Sequence, residues 1–309
     1  MTNLKNIVIS IMTETYFDKM VNNLNNNNNT DNLDFLLNNL ITPLSLYFIS
    51  DHFIGNELER FNIKVKPNSN NLIENNNIKD LKDMQILFVQ NDFFDIFIKN
   101  ILPNIKCKFI LITGQWHLPA LNINTTTTTL LNDNRIYRWF SQNPVFKHPK
   151  YFPLPYGLNY GYVSSDPDIK RYAKELLRTC SKEKNIINLG MNHNTNPCRK
   201  FFPKGQRLNN NIFYEEIHKS KFILSPIGDR DDCYRHWEAI GLGTIPISNV
   251  GDLYKDIFLD NMIYEKDIKN MIKIFEEQQQ LEYKCPDKNL ICLDYWKDYI
   301  KKISSTFAS

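Results

Sequence analysis

Apolar residues in this chain come in short runs set between polar, turn-forming stretches. Four runs in the first half have the length of buried strands: residues 7–12, 44–49, 86–90 and 109–113. Between them, residues 34–40 and 95–101 mix apolar and polar positions and read as helices. Continuous apolar runs alternating with helices predict a largely parallel sheet with covered faces. A turn-rich span follows Pro155, through Gly157, Gly161 and Ser164 to Pro167, and suits a crossing between domains. Beyond it, residues 169–180 read as a helix and 186–191 as a strand opening a second α/β unit. Near the C terminus Ile268, Met271, Ile272 and Phe275 recur at helical spacing, as do Trp296, Tyr299, Ile300 and Ile303. Both stripes are expected to face a core.

The densest stretch is residues 221–250, KFILSPIGDRDDCYRHWEAIGLGTIPISNV. Phe222 to Leu224 form an apolar strand, Pro226 and Gly228 punctuate a loop, and Asp231 or Asp232 is placed to cap a helix through Trp237, Glu238 and Ala239. Gly241 and Gly243 then stop the helix, and Thr244 to Ser248 resume as a strand. In an open α/β sheet this order puts the loop and the helix start at the carboxyl edge, where ligands bind. A helix start offers unpaired N–H groups and a positive dipole end, which suit a phosphate. Arg235 and Glu238 share one helix face, so a guanidinium is available to clamp a diphosphate and a carboxylate to accept from sugar hydroxyls. An exposed ion pair within the helix, worth about 0.3 kcal/mol, is the alternative.

Ser225, Pro226, Gly228, Arg235, Glu238, Ala239, Gly243, Ile245, Pro246 and Ile247 together resemble the signature of the exostosin-like glycosyltransferases. Weaker echoes lie at Thr113, at Trp139 to Asn143 and at Pro153 to Leu158. The resemblance implies a GT-B-like fold, with two Rossmann-like, doubly wound α/β domains facing a cleft and a C-terminal helix that crosses back. It also implies sugar transfer from a nucleotide sugar, usually UDP-linked, with inversion, onto a glycan or glycoconjugate acceptor. The domains expected are 1–165, on the acceptor side, and 166–309, binding the donor. Ser225, Gly228, Arg230, Arg235 and Glu238 are the donor-binding candidates, joined by Arg199 from the loop after the 186–191 strand.

An inverting transfer needs a base for the acceptor hydroxyl. His117 and Asp92 each follow an apolar strand, and the choice between them stays open. Asp229, Arg230 and Asp231 spell the D-x-D pattern that metal-dependent sugar transferases use. The helix and Arg235 that follow supply positive charge in place of a cation, so no tightly bound metal is expected. A non-catalytic module that keeps the nucleotide or glycan site is the second reading, and a phosphate-binding α/β protein outside sugar transfer a third.

Composition narrows the partners. The chain has 309 residues, 42% of them hydrophobic, with 37 basic against 34 acidic side chains and a net charge of +3, so no strong field favours nucleic acid. The six cysteines show no zinc-ligand spacing and are expected as free thiols. Residues 7–12 read as a strand rather than a signal segment, and no run nears the roughly 20 apolar residues a membrane span needs. A cytoplasmic location is the resulting expectation.

Overall fold

The computed structural model describes residues 16–26, 29–55, 73–74, 78–114, 124–160, 168–205 and 208–306. The expected strand at 7–12 and the candidate base His117 lie outside them. Among the described residues ten strands, β1 (His52–Gly55), β2 (Ile73–Glu74), β3 (Ile86–Gln90), β4 (Phe109–Gly114), β5 (Ile136–Gln142), β6 (Tyr151–Leu154), β7 (Lys184–Ile187), β8 (Ser220–Leu224), β9 (Ile245–Ser248) and β10 (Ile263–Tyr264), make two sheets. The six-stranded sheet runs β2-β1-β3-β4-β5-β6, and the four-stranded sheet β10-β9-β8-β7. All pairings are parallel except β1 with β2. The protein is therefore α/β with two parallel sheets. The four-stranded order advances in one direction, whereas in the six-stranded sheet β2 and β3 lie on opposite sides of β1, so the order turns back there, through the antiparallel β1–β2 pair, before advancing from β3 to β6.

Every residue of β4 is buried, because the sheet is covered on both faces and a parallel strand at its centre meets water on neither. Leu87, Val89, Phe109, Leu111 and Trp139 pack one face against the helical stretch holding Phe93, Phe94 and Phe97. Phe140 points to the other face, with its ring 6.2 Å from that of Tyr299 on the last helix, Leu293–Ser305. In the smaller sheet Ile186, Phe222, Leu224, Ile245 and Ile247 pack with Met271 of the helix Ile268–Glu276, whose inward stripe is the expected one.

Two local expectations fail. Residues 44–49 are not a strand: Ser45–Phe48 is a 3-10 turn, because Thr42 Oγ1 and Ser45 Oγ bond each other at 2.8 Å and each takes the other's backbone N–H at 3.1 Å. The strand β1 comes just after it instead, in a segment too short and mixed to stand out by pattern. The strand expected over 186–191 ends at Ile187, and Leu189 and Met191 are buried beyond it in irregular chain.

The chain divides into two compact units: Met1–Leu40 with Gly157–Tyr295, holding the smaller sheet, and Ile41–Tyr156 with Trp296–Ser309, holding the larger. A cut into 1–165 and 166–309 misses two crossings. The early helices belong with the later sheet: Leu36 and Leu37 are buried, Leu40 bridges to Cys292, and the Phe17 N–H donates to Asn289 Oδ1 at 3.0 Å. The last helix returns to the earlier sheet, with Trp296, Ile300 and Ile303 buried. No described helix is long and apolar enough to cross a membrane.

Candidate functional site

At the carboxyl edge of the four-stranded sheet, β7 runs into the loop carrying Arg199, and β8 into the loop Ser225 to Cys233 and the helix Tyr234–Gly241. Each loop is held by an arginine from the other. Arg199 donates from Nε to the Ile227 carbonyl at 2.8 Å and from Nη2 to the Pro226 carbonyl at 3.0 Å. Arg235 donates from Nη2 to the Gly190 carbonyl at 2.9 Å, and its guanidinium lies 5.8 Å from the Phe213 ring centre. Asn196 Nδ2 donates to the Gly228 carbonyl at 2.7 Å, and Asn249 Oδ1 accepts the Ile227 N–H at 3.0 Å. The loop main chain is thus tied down by side chains on both sides. Gly228 suits this fit, since a Cβ there would stand 3.0 Å from Arg199 Nη2 and the guanidinium would have to give by a few tenths of an ångström.

The structure brings Ser225, Gly228, Arg199 and Arg235 into one cluster, but gives the guanidinium groups main-chain carbonyls as partners. Ser225 is 1% exposed, and its Oγ has no hydrogen-bond partner among the described residues, a donor left available at a strand end. Arg230 donates to its neighbour's carbonyl, Asp229 O, at 2.8 Å.

Glu238 lies deeper than a ribose-binding carboxylate is expected to lie. It is 5% exposed, and Tyr214 Oη donates to its Oε1 at 3.4 Å. Burial, opposed by the Arg235 charge, pushes its pKa up to about 8, so the carboxyl is largely protonated at neutral pH. Tyr172 Oη donates to the Glu238 carbonyl at 3.2 Å, closing the inner side of the helix.

Cys233, not Asp231 or Asp232, caps the helix: its sulfur accepts the His236 N–H. Asp232 turns inward and is wholly buried, taking Trp237 Nε1–H on both oxygens at 2.8 and 2.9 Å. His236, also wholly buried, has Nε2 3.1 Å from the Ser225 carbonyl, which can only accept, and Nδ1 3.2 Å from Asp232 Oδ1. Protons on both nitrogens satisfy both oxygens, at the expense of the Cys233 N–H, which points at Nδ1 from 3.4 Å and needs that nitrogen unprotonated. Burial works against that charge, but Cys233 and Asp232 beside the ring outweigh it and raise the His236 pKa to about 10. The His236 ring thus supports the Ser225 main chain from beneath. Asp231 turns away toward Gly251, where its carboxylate lies so close that a Cβ on that glycine would stand 2.4 Å from Oδ2. Among the described residues no group of three or more His, Cys, Asp and Glu side chains gathers as a metal site.

The helix ends as its glycines imply, although only one of them ends it. The Thr244 N–H reaches the Ala239 carbonyl at 2.8 Å and the Gly243 N–H the Ile240 carbonyl at 2.9 Å, a Schellman ending with Gly243 at φ +71°. Gly241 stays helical and serves close packing, since a Cβ there would lie 2.0 Å from Tyr172 Oη.

In the other unit, Asp92 follows β3 directly, half-buried in the 3-10 turn Asn91–Phe93. Polar side chains that sequence pattern did not single out share this carboxyl edge. Gln90 Oε1 accepts from Tyr47 Oη at 2.9 Å, and Gln142 Nε2 donates to the Pro155 carbonyl at 3.0 Å. Gln142 Oε1 is buried without a hydrogen-bond partner among the described residues, above Gly114, whose absent side chain leaves it room. Their signal in sequence was a glutamine closing an apolar strand, at Gln90 and again at Gln142. Trp139 Nε1 donates to Thr113 Oγ1 at 2.9 Å and Thr113 Oγ1 to Ser141 Oγ at 3.0 Å, so the Thr113 and Trp139 to Asn143 motifs meet across adjacent strands. Compared with family models and with curated proteins, the sequence matches none.

Proposed function

We propose that this chain is an inverting glycosyltransferase of GT-B type, moving a sugar from a UDP-linked donor to a glycan or glycoconjugate. One observation carries the reading: the Ser225 to Gly228 loop, Arg199 and Arg235 converge at a helix start on the carboxyl edge of a parallel sheet. That is the place and chemistry for a departing diphosphate. The two guanidinium groups and the helix dipole act on the diphosphate from behind a rigid loop. The Ser225, Ile227 and Gly228 N–H groups are taken by the Ile247 carbonyl, Asn249 Oδ1 and the Arg230 carbonyl, so Ser225 Oγ is the loop donor left for the ligand. No divalent metal is needed where fixed positive charge already stands.

In the transfer, the acceptor hydroxyl loses its proton to the base as its oxygen bonds to the anomeric carbon. The bond from that carbon to the diphosphate oxygen breaks, and UDP leaves with the electron pair. Asp92 and His117 remain the two candidates for the base. The partnering of both arginines with main-chain carbonyls favours a second reading, a nucleotide- or glycan-binding module without turnover.

Incubating the full chain with a panel of UDP-sugars, an acceptor mixture and excess EDTA tests the first reading through UDP release. Release that survives EDTA supports it. Release abolished by EDTA and restored by manganese overturns the metal-free site, and UDP binding without release from any donor moves the chain to the second reading.

A further inference from the structure

The carboxyl edge of the six-stranded sheet is rich in neutral amides. β3 closes on Gln90 with Asn91 and Asp92 next, β4 on Gly114, and β5 on Gln142 with Asn143 next. Asp92 is the one charged side chain among the described residues at these three strand ends. Gln142 is 4% exposed, and its partners fix which way its amide points. Nε2 donates to the Pro155 carbonyl at 3.0 Å, with the Tyr156 carbonyl at 3.5 Å on the same side; both can only accept, so the NH2 end must face them. Oε1 is therefore turned toward Gly114, where a Cβ would stand 2.7 Å from it, and it has no hydrogen-bond partner among the described residues. Gln90 Oε1 is taken by Tyr47 Oη, but Asn91 Oδ1, just past the end of β3, is buried without a partner as well. Gly114 thus lies between two open amide acceptors, on strand ends about 10 Å apart.

Buried acceptors left open in the free chain are unfavourable, and a ligand that brings donors to them relieves that cost. Uncharged oxygens, with no cationic side chain among the described residues at these ends, suit hydroxyl donors and give a phosphate or carboxylate nothing to bind. We propose that this edge binds a neutral glycan, with Gln142 Oε1 and Asn91 Oδ1 each accepting from one of its hydroxyl groups. The span between the strand ends exceeds one sugar ring and suits two linked ones. Asp92, beside Asn91, disfavours an anionic sugar in the same place. The inference rests on the glycan side of the proposed function and needs neither a donor nor turnover.

The test is saturation-transfer NMR on the full chain with lactose, cellobiose, maltose and xylobiose, and with a uronic acid disaccharide as the charged control, in the absence of any nucleotide sugar. At least one neutral disaccharide is expected to take up saturation, and the uronic acid to take up less. Asn91→Ala and Gln142→Met are each expected to weaken that binding at least roughly tenfold, the loss of one hydrogen bond to a hydroxyl. Asn91→Ala removes an oxygen that has no partner among the described residues, so its fold should stand even where Gln142→Met, which also gives up the tie to Pro155, does not. Failure of every neutral disaccharide to take up saturation, equal uptake by the uronic acid, or unchanged affinity in Asn91→Ala overturns the proposal. UDP release in the donor assay without disaccharide binding removes this site and leaves the transferase reading standing, whereas disaccharide binding that Asn91→Ala weakens, without UDP release, does the reverse.

Discussion

A helix position tells which face a side chain occupies, but the charge state depends on what the other elements bring to that face. Glu238 shows the difference. Next to Arg235 in sequence it reads as a carboxylate; enclosed by Tyr214 and Tyr172 it is mostly a neutral acid. Its pKa is raised on folding, so its contribution to stability is complete below the unfolded carboxyl value near 4.3 and is lost as pH rises through about 8. The slope is about 1.4 kcal/mol per pH unit between those limits. Glu238→Gln is therefore expected to match the parent near pH 4 and to gain on it progressively toward pH 8, as urea melts at a series of pH values would show. His236 drifts in the same direction over a higher window, from its unfolded value near 6.5 up to about 10, and cancels in the comparison. Arg199→Ala and Arg235→Ala each remove the tie to a neighbouring loop. Both are expected to weaken UDP binding by roughly 1.5 to 3 kcal/mol in calorimetry while the fold survives. Equal affinity in both variants would remove the donor site from this edge.

Among the elements, those with strong periodicity or unbroken apolar runs were legible: β3, β4, β8, β9 and the helices near Met271 and Trp296 all occur where the pattern put them. The failures have a common cause. The 44–49 run has the composition of a strand, but hydroxyl bonds between Thr42 and Ser45 wind it into a turn, and apolar content alone does not separate the two. Helix capping was misplaced by one residue for a related reason: Asp232 is a good cap by type, yet burial beside Trp237 and His236 engages its carboxylate, and the cap falls to Cys233. Gly243 was read correctly as a stop, and its left-handed backbone explains why. Gly243→Val should cost about 1 to 2 kcal/mol, read as a lowered melting temperature, because a branched side chain is poorly tolerated at φ +71°.

At the scale of the molecule the chain crosses between its two units more often than its linear pattern implies, since the first helices join the later sheet and the last helix the earlier one. A chain cut after Tyr295 loses Trp296, Ile300 and Ile303 from the six-stranded unit, each worth about 1.5 to 3 kcal/mol when buried. That truncation is expected to unfold the unit in limited proteolysis, with fragments of β3 to β6 released first. Retained protease resistance across residues 86–154 would show that the helix is dispensable.

The parallel α/β character, the strand, loop, helix and strand order over 221–250, and the inward stripes of the two late helices were written in the sequence. They depend on period, on glycine and on neighbours close along the chain, and such interactions are encoded locally. Which partner each functional side chain found was decided by tertiary structure. Arg199 and Arg235 meet carbonyl groups on each other's loops, Asp232 turns to a tryptophan, and Glu238 gains a tyrosine from another helix. Burial, charge state and hydrogen-bond partner are properties of groups brought together from distant positions, so no local pattern of residues specifies them.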